Sequence, residues 1–215
     1  MALIDPQSTT FQRSEARRII GESGDLPWRQ QWVAAQHISD HLKRAVIASE
    51  DGGFVEHNGV DWDAIEKAWE RNQRAEDAAE RRKAKAPALP VQAKVMGGST
   101  ITQQLAKNLL LSGERTPWRK AQELVLTLAL EAFLDKARIL EIYLNHVEWG
   151  EGVFGAQAAA QHYFRLNASQ LSPSQAARLA VMLPAPKRFE KRPGSAYLSG
   201  RTATVLARMN AVPLP

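Results

Sequence analysis

At 215 residues and 23.9 kDa, with 44% hydrophobic and 24% charged residues, the chain holds enough apolar material for one folded domain and is too short for a large multidomain enzyme. It contains no cysteine, which removes disulfide frameworks, cysteine zinc sites and thiol nucleophiles. A formal charge of +5 and a pI near 9.6 point to a polyanionic partner, with nucleic acid, anionic headgroups and phosphorylated substrates all allowed, while no stretch reaches the roughly 18 apolar residues that span a bilayer.

Residues 1–28 are polar, mixed in sign and broken by Pro6, Gly21, Gly24 and Pro27, so a partly mobile N-terminal arm over 1–30 with one short helix is expected ahead of a domain over 31–215. Over 33–49, Ile38, Leu42, Ala45 and Val46 recur at helical spacing and end at Glu50-Asp51 and Gly52-Gly53. A helix thus delivers a carboxylate pair to a loop, with His57 close enough to touch it. Residues 61–85 read as a helix that grows steadily more charged before Pro87 and Pro90. By composition, 74–94 is a solvated helix end running into a linker, and a mobile segment is expected over about 74–96. The second half reads as nearly continuous helix: 100–111, 117–134 and 136–144, a glycine-punctuated turn at 150–155, then 156–164 and 172–183. Strand-like alternation is scarce, so the fold class is mostly α.

Three stretches carry candidate chemistry. In "GGSTITQQLAKN", residues 97–108, Thr100 and Gln103 form a capping-box pattern, so two glycines lead into a helix N-terminus suited to an anion. Thr100, Gln103, Gln104 and Lys107 share one face and Ile101, Leu105 and Leu109 the other; an ordinary capped amphipathic helix would show the same pattern. The next helix opens at Thr116-Pro117 and carries Glu123 in a leucine-rich body. Glu123, Thr127 and Glu131 recur every four residues, which fits a solvent-facing stripe as well as a cleft-facing carboxylate. In the third, Glu50 is a candidate general base or acid whose neighbour Asp51 raises its pKa. Two carboxylates from separate elements, facing a basic anion site, suit displacement at a sugar carbon with a phosphate leaving group.

These residues resemble the five motifs of the peptidoglycan glycosyltransferases, in family order. They are "EDGGFVEHNGVDWDAI" from Glu50, "GGSTITQQLAKN" from Gly97, "RKAQE" from Arg119, "KARILEIYLN" from Lys136 and "AARLAVMLPAP" from Ala176. The likeness covers about 42–186, and "GVFGAQAAAQHYF" from Gly152 is similar to the monofunctional branch. Only about thirty residues follow the fifth motif, too few for a transpeptidase domain.

The resemblance implies a lysozyme-like helical fold with a smaller membrane-facing jaw lobe. Its activity would be polymerisation of lipid II into β-1,4 glycan strands, with inversion and release of polyprenyl pyrophosphate. Glu50 matches the base that deprotonates the acceptor 4-hydroxyl. Asp51, Phe54, His57 and Gly59 match loop-shaping positions, while Ser99, Gln104, Lys107 and Arg115 match those lining the donor pyrophosphate pocket. Thr100, Gln103, Asn108, Arg119 and Lys120 belong to the same motifs and are expected at the substrate. Glu123 matches the second essential acid, near the departing pyrophosphate, where it would hold a Mg or Mn cation or orient basic side chains; no organic cofactor is implied. Gly52-Gly53 departs from the long or basic side chains common in the family and predicts a looser loop.

Partners implied are lipid II, the growing strand, the membrane surface and other cell-wall synthesis and division proteins, with no nucleic acid. The implied location is the extracytoplasmic or periplasmic face of the cell membrane, held by an N-terminal transmembrane helix not found in this chain. The jaw residues Trp62, Ile65 and Trp69 would dip into the outer leaflet, unless they pack in a core. Rival readings are a muramidase or lytic transglycosylase using Glu50 as an acid, which has no use for Lys107 and Arg115, and a non-catalytic lipid II-binding scaffold, which needs neither carboxylate.

Overall fold

The structure is a computed structural model that describes residues 1–2, 4–85, 98–111 and 117–215, with no side-chain description for 82–85 and 117. Along the chain run α1 (Thr10–Ser23), β1 (Arg29–Gln30), α2 (Asp40–Glu50), α3 (Trp62–Lys85), α4 (Ile101–Leu110), α5 (Pro117–Phe133) and α6 (Lys136–His146). Then follow β2 (Glu148–Gly150), β3 (Val153–Phe154), α7 (Ala156–Phe164), α8 (Pro173–Met182), α9 (Pro186–Glu190) and α10 (Ala196–Arg208). The mostly α class expected from the sequence holds. No helix among the described residues is long and apolar enough to cross a membrane.

The centre of the body is the trio α2, α8 and α10. Ser39, the N-cap of α2, donates its N–H to Ala168 O at 3.0 Å and its hydroxyl to Leu171 O at 3.1 Å, immediately before Ser172 caps α8. The two helices therefore start together and run side by side. The Arg44 guanidinium on α2 reaches the Val212 carbonyl just past the end of α10, so α10 runs antiparallel to both. Leu42, Ala45, Ala176, Leu179, Ala180 and Leu198 are fully buried between them, the alanines letting the axes approach closely. One end of the trio thus gathers the C-termini of α2 and α8 and the N-terminus of α10.

The arm expected to be mobile is built into this body. α1 opens on a capping box between Thr9 and Gln12, and Thr10 Oγ1 donates to Leu109 O at 3.0 Å. β1 pairs in parallel with β3, Arg29 opposite Val153, and β2 pairs antiparallel with the other edge of β3. The turn expected at 150–155 is therefore the hairpin of this three-stranded sheet, and residue 30 marks no boundary. Gly152 has φ +69°, and a Cβ there would lie 2.1 Å from the Pro27 carbonyl oxygen, so only glycine lets the arm close on the sheet. Beyond residue 85, the rest of the segment expected to be mobile lies outside the described residues.

A charge hub reinforces the arm. Lys187 contacts Glu15 of α1 and lies 3.3 Å from Glu148 Oε1 and 3.6 Å from Glu151 Oε2. Burial pushes the Glu148 carboxyl up to about 7, with Lys187 opposing and Glu15 and Glu151 adding to the rise. A carboxyl raised on folding stabilises below its unfolded value near 4.5, and that contribution is lost as pH climbs to 7. The Tm of Glu148→Gln should accordingly exceed that of the parent by roughly 5 °C at pH 8, with little difference at pH 5 in parallel melts. A lower Tm for the variant at pH 8 would mean that the Lys187 pairing outweighs the burial cost.

Candidate active site

Glu50 is the last residue of α2 and stands half-buried at the end of the trio. Its Oε2 accepts from Gln104 Nε2 at 3.1 Å, and Gln104 Oε1 in turn accepts from the buried Tyr143 hydroxyl at 2.9 Å. Tyr143 thereby fixes the Gln104 amide with its NH2 toward Glu50. Burial raises the Glu50 carboxyl above the usual range; hydrogen bonds from Gln104 and Ser49 and the charge of Arg201 on α10 pull it back, and Asp51 adds to the rise.

The loop after Glu50 is pinned, in contrast to the loose loop predicted from Gly52-Gly53. Buried Asp51 accepts from His57 Nε2 at 2.8 Å through Oδ1 and from the Ile101 N–H at 2.9 Å through Oδ2. Gly59 N–H points to His57 Nδ1 at 3.2 Å, which assigns the ring proton to Nε2, facing Asp51. Phe54 is fully buried beneath Lys136, whose Nζ sits 4.6 Å from the ring centroid. Gly59 adopts φ +86°, and a Cβ there would fall 2.7 Å from Thr127 Cγ2, so the loop rests directly on α5.

These contacts correct two expectations. The anion at the N-terminus of α4 is the protein's own Asp51, so that helix end is already neutralised. Thr100 and Gln103 form the expected capping box but are buried by it, and Thr100 Oγ1 also donates to Gly59 O at 2.6 Å. They build the loop instead of lining a ligand face. The polar stripe of α4 is left to half-buried Gln104 and Asn108 and exposed Lys107, with Ser99 exposed just before the helix.

α5 carries its acids inward. Glu123 and Thr127 are buried, Glu131 accepts from Thr102 Oγ1 at 2.6 Å and pairs with Lys136 at 2.7 Å, while Trp118, Val125 and Leu128 face outward. The solvent-facing reading of the Glu123 stripe is thereby excluded. Glu123 Oε1 is 2.5 Å from Lys120 Nζ and its Oε2 lies 3.7 Å from Arg119. Desolvation lowers the Lys107 ammonium below the usual lysine range; Glu123 opposes this, and Arg119 and Lys120 add to it. Gln104 and Lys107 are one helical turn apart on α4, so adjacent turns of one helix serve Glu50 and Glu123.

Arg115 lies outside the described residues. Tyr143 and Arg201 were absent from the sequence-derived site. A hydroxyl on a buried helix face is the one signal that marks Tyr143, whereas nothing local marks Arg201. Asp51, His57 and Asp61 place ligand atoms within 4.8 Å of one another. Asp51 and His57 spend theirs on the loop lock, and Asp61 Oδ1 accepts from Ala64 N–H at 2.8 Å, so the group serves as structure.

The family model described as Transglycosylase matches residues 17–210. The chain is 52% identical over 211 residues to a protein named biosynthetic peptidoglycan transglycosylase from Herminiimonas arsenicoxydans, covering 98% of this chain and 84% of that protein. A protein of the same name from Bordetella pertussis is 51% identical over 211 residues, covering 98% and 82%. Another, from Burkholderia thailandensis, is 51% identical over 214 residues, covering 100% and 77%.

Proposed function

Because the chain belongs to the transglycosylase family, and so is a glycosyltransferase of peptidoglycan synthesis that extends glycan strands, we propose that its substrate is lipid II and that Glu50 and Glu123 divide the chemistry. Glu50 takes the proton of the acceptor 4-hydroxyl as that oxygen attacks the donor anomeric carbon. The new C–O bond forms on the face opposite the departing pyrophosphate, which inverts the centre. Lys107, Arg119 and Lys120 meet the charge developing on the leaving group, with Glu123 holding the latter two in place. Arg115 belongs to this group by the family likeness.

The observation that carries the reading is a half-buried Glu50 bonded to Gln104, with Lys107 one helical turn along α4 in the field of Glu123 and the cations gathered on it. A divalent cation fits these residues poorly. The Glu123 oxygens face cations, and among the described residues no other His, Asp or Glu completes a three-ligand group with it. No step here runs through a metal.

Enzymes that extend glycan strands act outside the cytoplasm, and an attachment to the outer leaflet is part of this proposal. It is supported by Trp62 and Trp69 on α3, which are 69% and 63% exposed, and by Trp118 on α5 at 80%. A raised Glu50 carboxyl also suits an acid in a lytic enzyme, so the test must separate synthesis from cleavage. Incubation with lipid II should give a ladder of glycan products that muramidase collapses. Absence of that ladder together with solubilisation of finished peptidoglycan would establish the lytic alternative.

A further inference from the structure

We propose that a basic cavity floored by aromatic rings, built by Arg188, Arg192, Phe189 and Tyr197, binds the carboxylate-bearing peptide branch of the saccharide substrate. This rests on the glycosyltransferase reading above and adds to it a specificity site outside the reacting atoms.

The cavity has a volume of about 330 Å³ and lies where α8 ends, α9 makes its short turn and α10 begins. Arg188 and Arg192 stand four residues apart, and neither has a carboxylate of the described residues within ion-pair distance. The acid of α9, Glu190, is turned away, held by His162 at 3.0 Å and by the Glu151 N–H at 2.9 Å. Arg18 is paired with Glu15 and Glu22 and Arg138 with Asp5 and Glu141, while Arg29 and Arg178 meet a histidine ring nitrogen and a carbonyl oxygen. What sets Arg188 and Arg192 apart is that two planar forks of donors line the same cavity, the arrangement that receives a carboxylate through paired hydrogen bonds.

The floor is a flat apolar surface. Phe189 is buried and stacks on Tyr197 with ring centroids 5.7 Å apart and planes 6° from parallel, while Tyr197 remains 52% exposed. Ser195 Oγ caps α10 by accepting from Leu198 N–H at 3.2 Å, and Arg178 donates to Pro193 O at 2.6 Å, which braces the connecting loop. A cationic edge beside a rigid ring face fits a sugar or peptide that carries a carboxylate.

The trio's geometry puts this cavity next to the catalytic loop. α2 and α8 run side by side and end together, at Glu50 and at Pro184-Ala185 on the cavity wall, and antiparallel α10 begins at that same end. Tyr197 and Arg201 share a face of α10, about 6 Å apart along its axis, and Arg201 is the cation whose charge acts on Glu50. The cations assigned to pyrophosphate come from α4 and α5, so the charge here is left for another anion. A peptide branch brings at least its terminal carboxylate to a sugar lying in the cleft.

The test uses a soluble disaccharide–peptide with neither lipid nor pyrophosphate, prepared with free and with fully amidated carboxylates. Titrated into the whole protein by NMR, the free form should perturb the Arg188 and Arg192 side-chain N–H signals and bind at least about tenfold more tightly than the amidated form. The exposed double variant Arg188→Gln, Arg192→Gln should erase that difference, and Tyr197→Leu should weaken both forms. Equal binding of the two forms by the parent, or a difference that survives in the double variant, overturns the proposal. So does a double variant that keeps glycopeptide binding but loses binding to phosphatidylglycerol vesicles, which would make the cavity a lipid site. Polymerisation of lipid II is read separately: a parent that discriminates the two probes yet makes no polymer sinks the proposed function and leaves this site standing.

Discussion

Glu50→Gln should lower the rate of lipid II polymerisation by about 10²-fold or more, the usual worth of a positioned base, while donor binding is retained. The amide keeps the shape and can still meet Gln104, so the loss reports on the proton acceptor and not on collapse of the loop. The pH profile gives a second reading of the same group. Its ionised form is the active one and burial raises its pKa, so activity should climb with pH along an acid limb above the ordinary glutamate range. Arg201→Ala removes a charge that favours the carboxylate and should move that limb to still higher pH. A Glu50→Gln enzyme that polymerises at the parental rate would assign the base elsewhere. An unmoved limb in Arg201→Ala would remove Arg201 from the site's electrostatics.

Asp51→Ala is expected to be as damaging, by a different route. Its carboxylate satisfies the Ile101 N–H and the His57 ring in a buried position, and deletion leaves both donors without partners. A loss of about 3 kcal/mol follows from two hydrogen bonds to a charged group, readable as a lower urea midpoint. Because the same residue anchors the loop that carries Glu50 to α4, where Gln104 sits, activity should fall by about 10²-fold through misplacement alone. Asp51→Asn should be milder in stability, since its carbonyl can still cap Ile101. Its amide hydrogens would face the protonated His57 Nε2, and a ring that shifts its proton to Nδ1 would meet the Gly59 N–H. A parental midpoint and rate for Asp51→Ala would show that the loop is held by other contacts.

The parts legible in the sequence are those decided within a few residues. The Thr100–Gln103 capping box and the Ser172–Pro173 helix start are local chemistry, and both stand in the structure. The helix that ends at Glu50 follows from apolar spacing alone. The sheet was illegible because strands of two or three residues carry no period. α5 misleads for another reason. Periodicity separates the Glu123–Thr127–Glu131 face from the apolar residues but does not say which of them meet water, and here the acids turn in together with Leu130 while Leu124, Val125 and Leu128 turn out. Asp51 at the head of α4 is a partnership across fifty residues, so the sequence pattern shows a vacant anion site where the fold has filled it.

The pairing of β1 with β3 also dictates an order of assembly. Arg29 emerges from synthesis well over a hundred residues before its partner Val153, and the carbonyl that receives the Arg29 N–H, Gly152, comes with that partner. α1 and β1, made before the segments they pack on, are therefore among the last to find their place. Contacts of such separation close slowly because the intervening chain must first give up its freedom. α1, with its own capping box at Thr9, can form while it waits, but its seat against Leu109 and the His146 carbonyl does not yet exist. Until the hairpin arrives, Phe11 lacks the Phe154 ring and Ile19 lacks its approach to Gly152, and the nascent protein is exposed to aggregation in that interval.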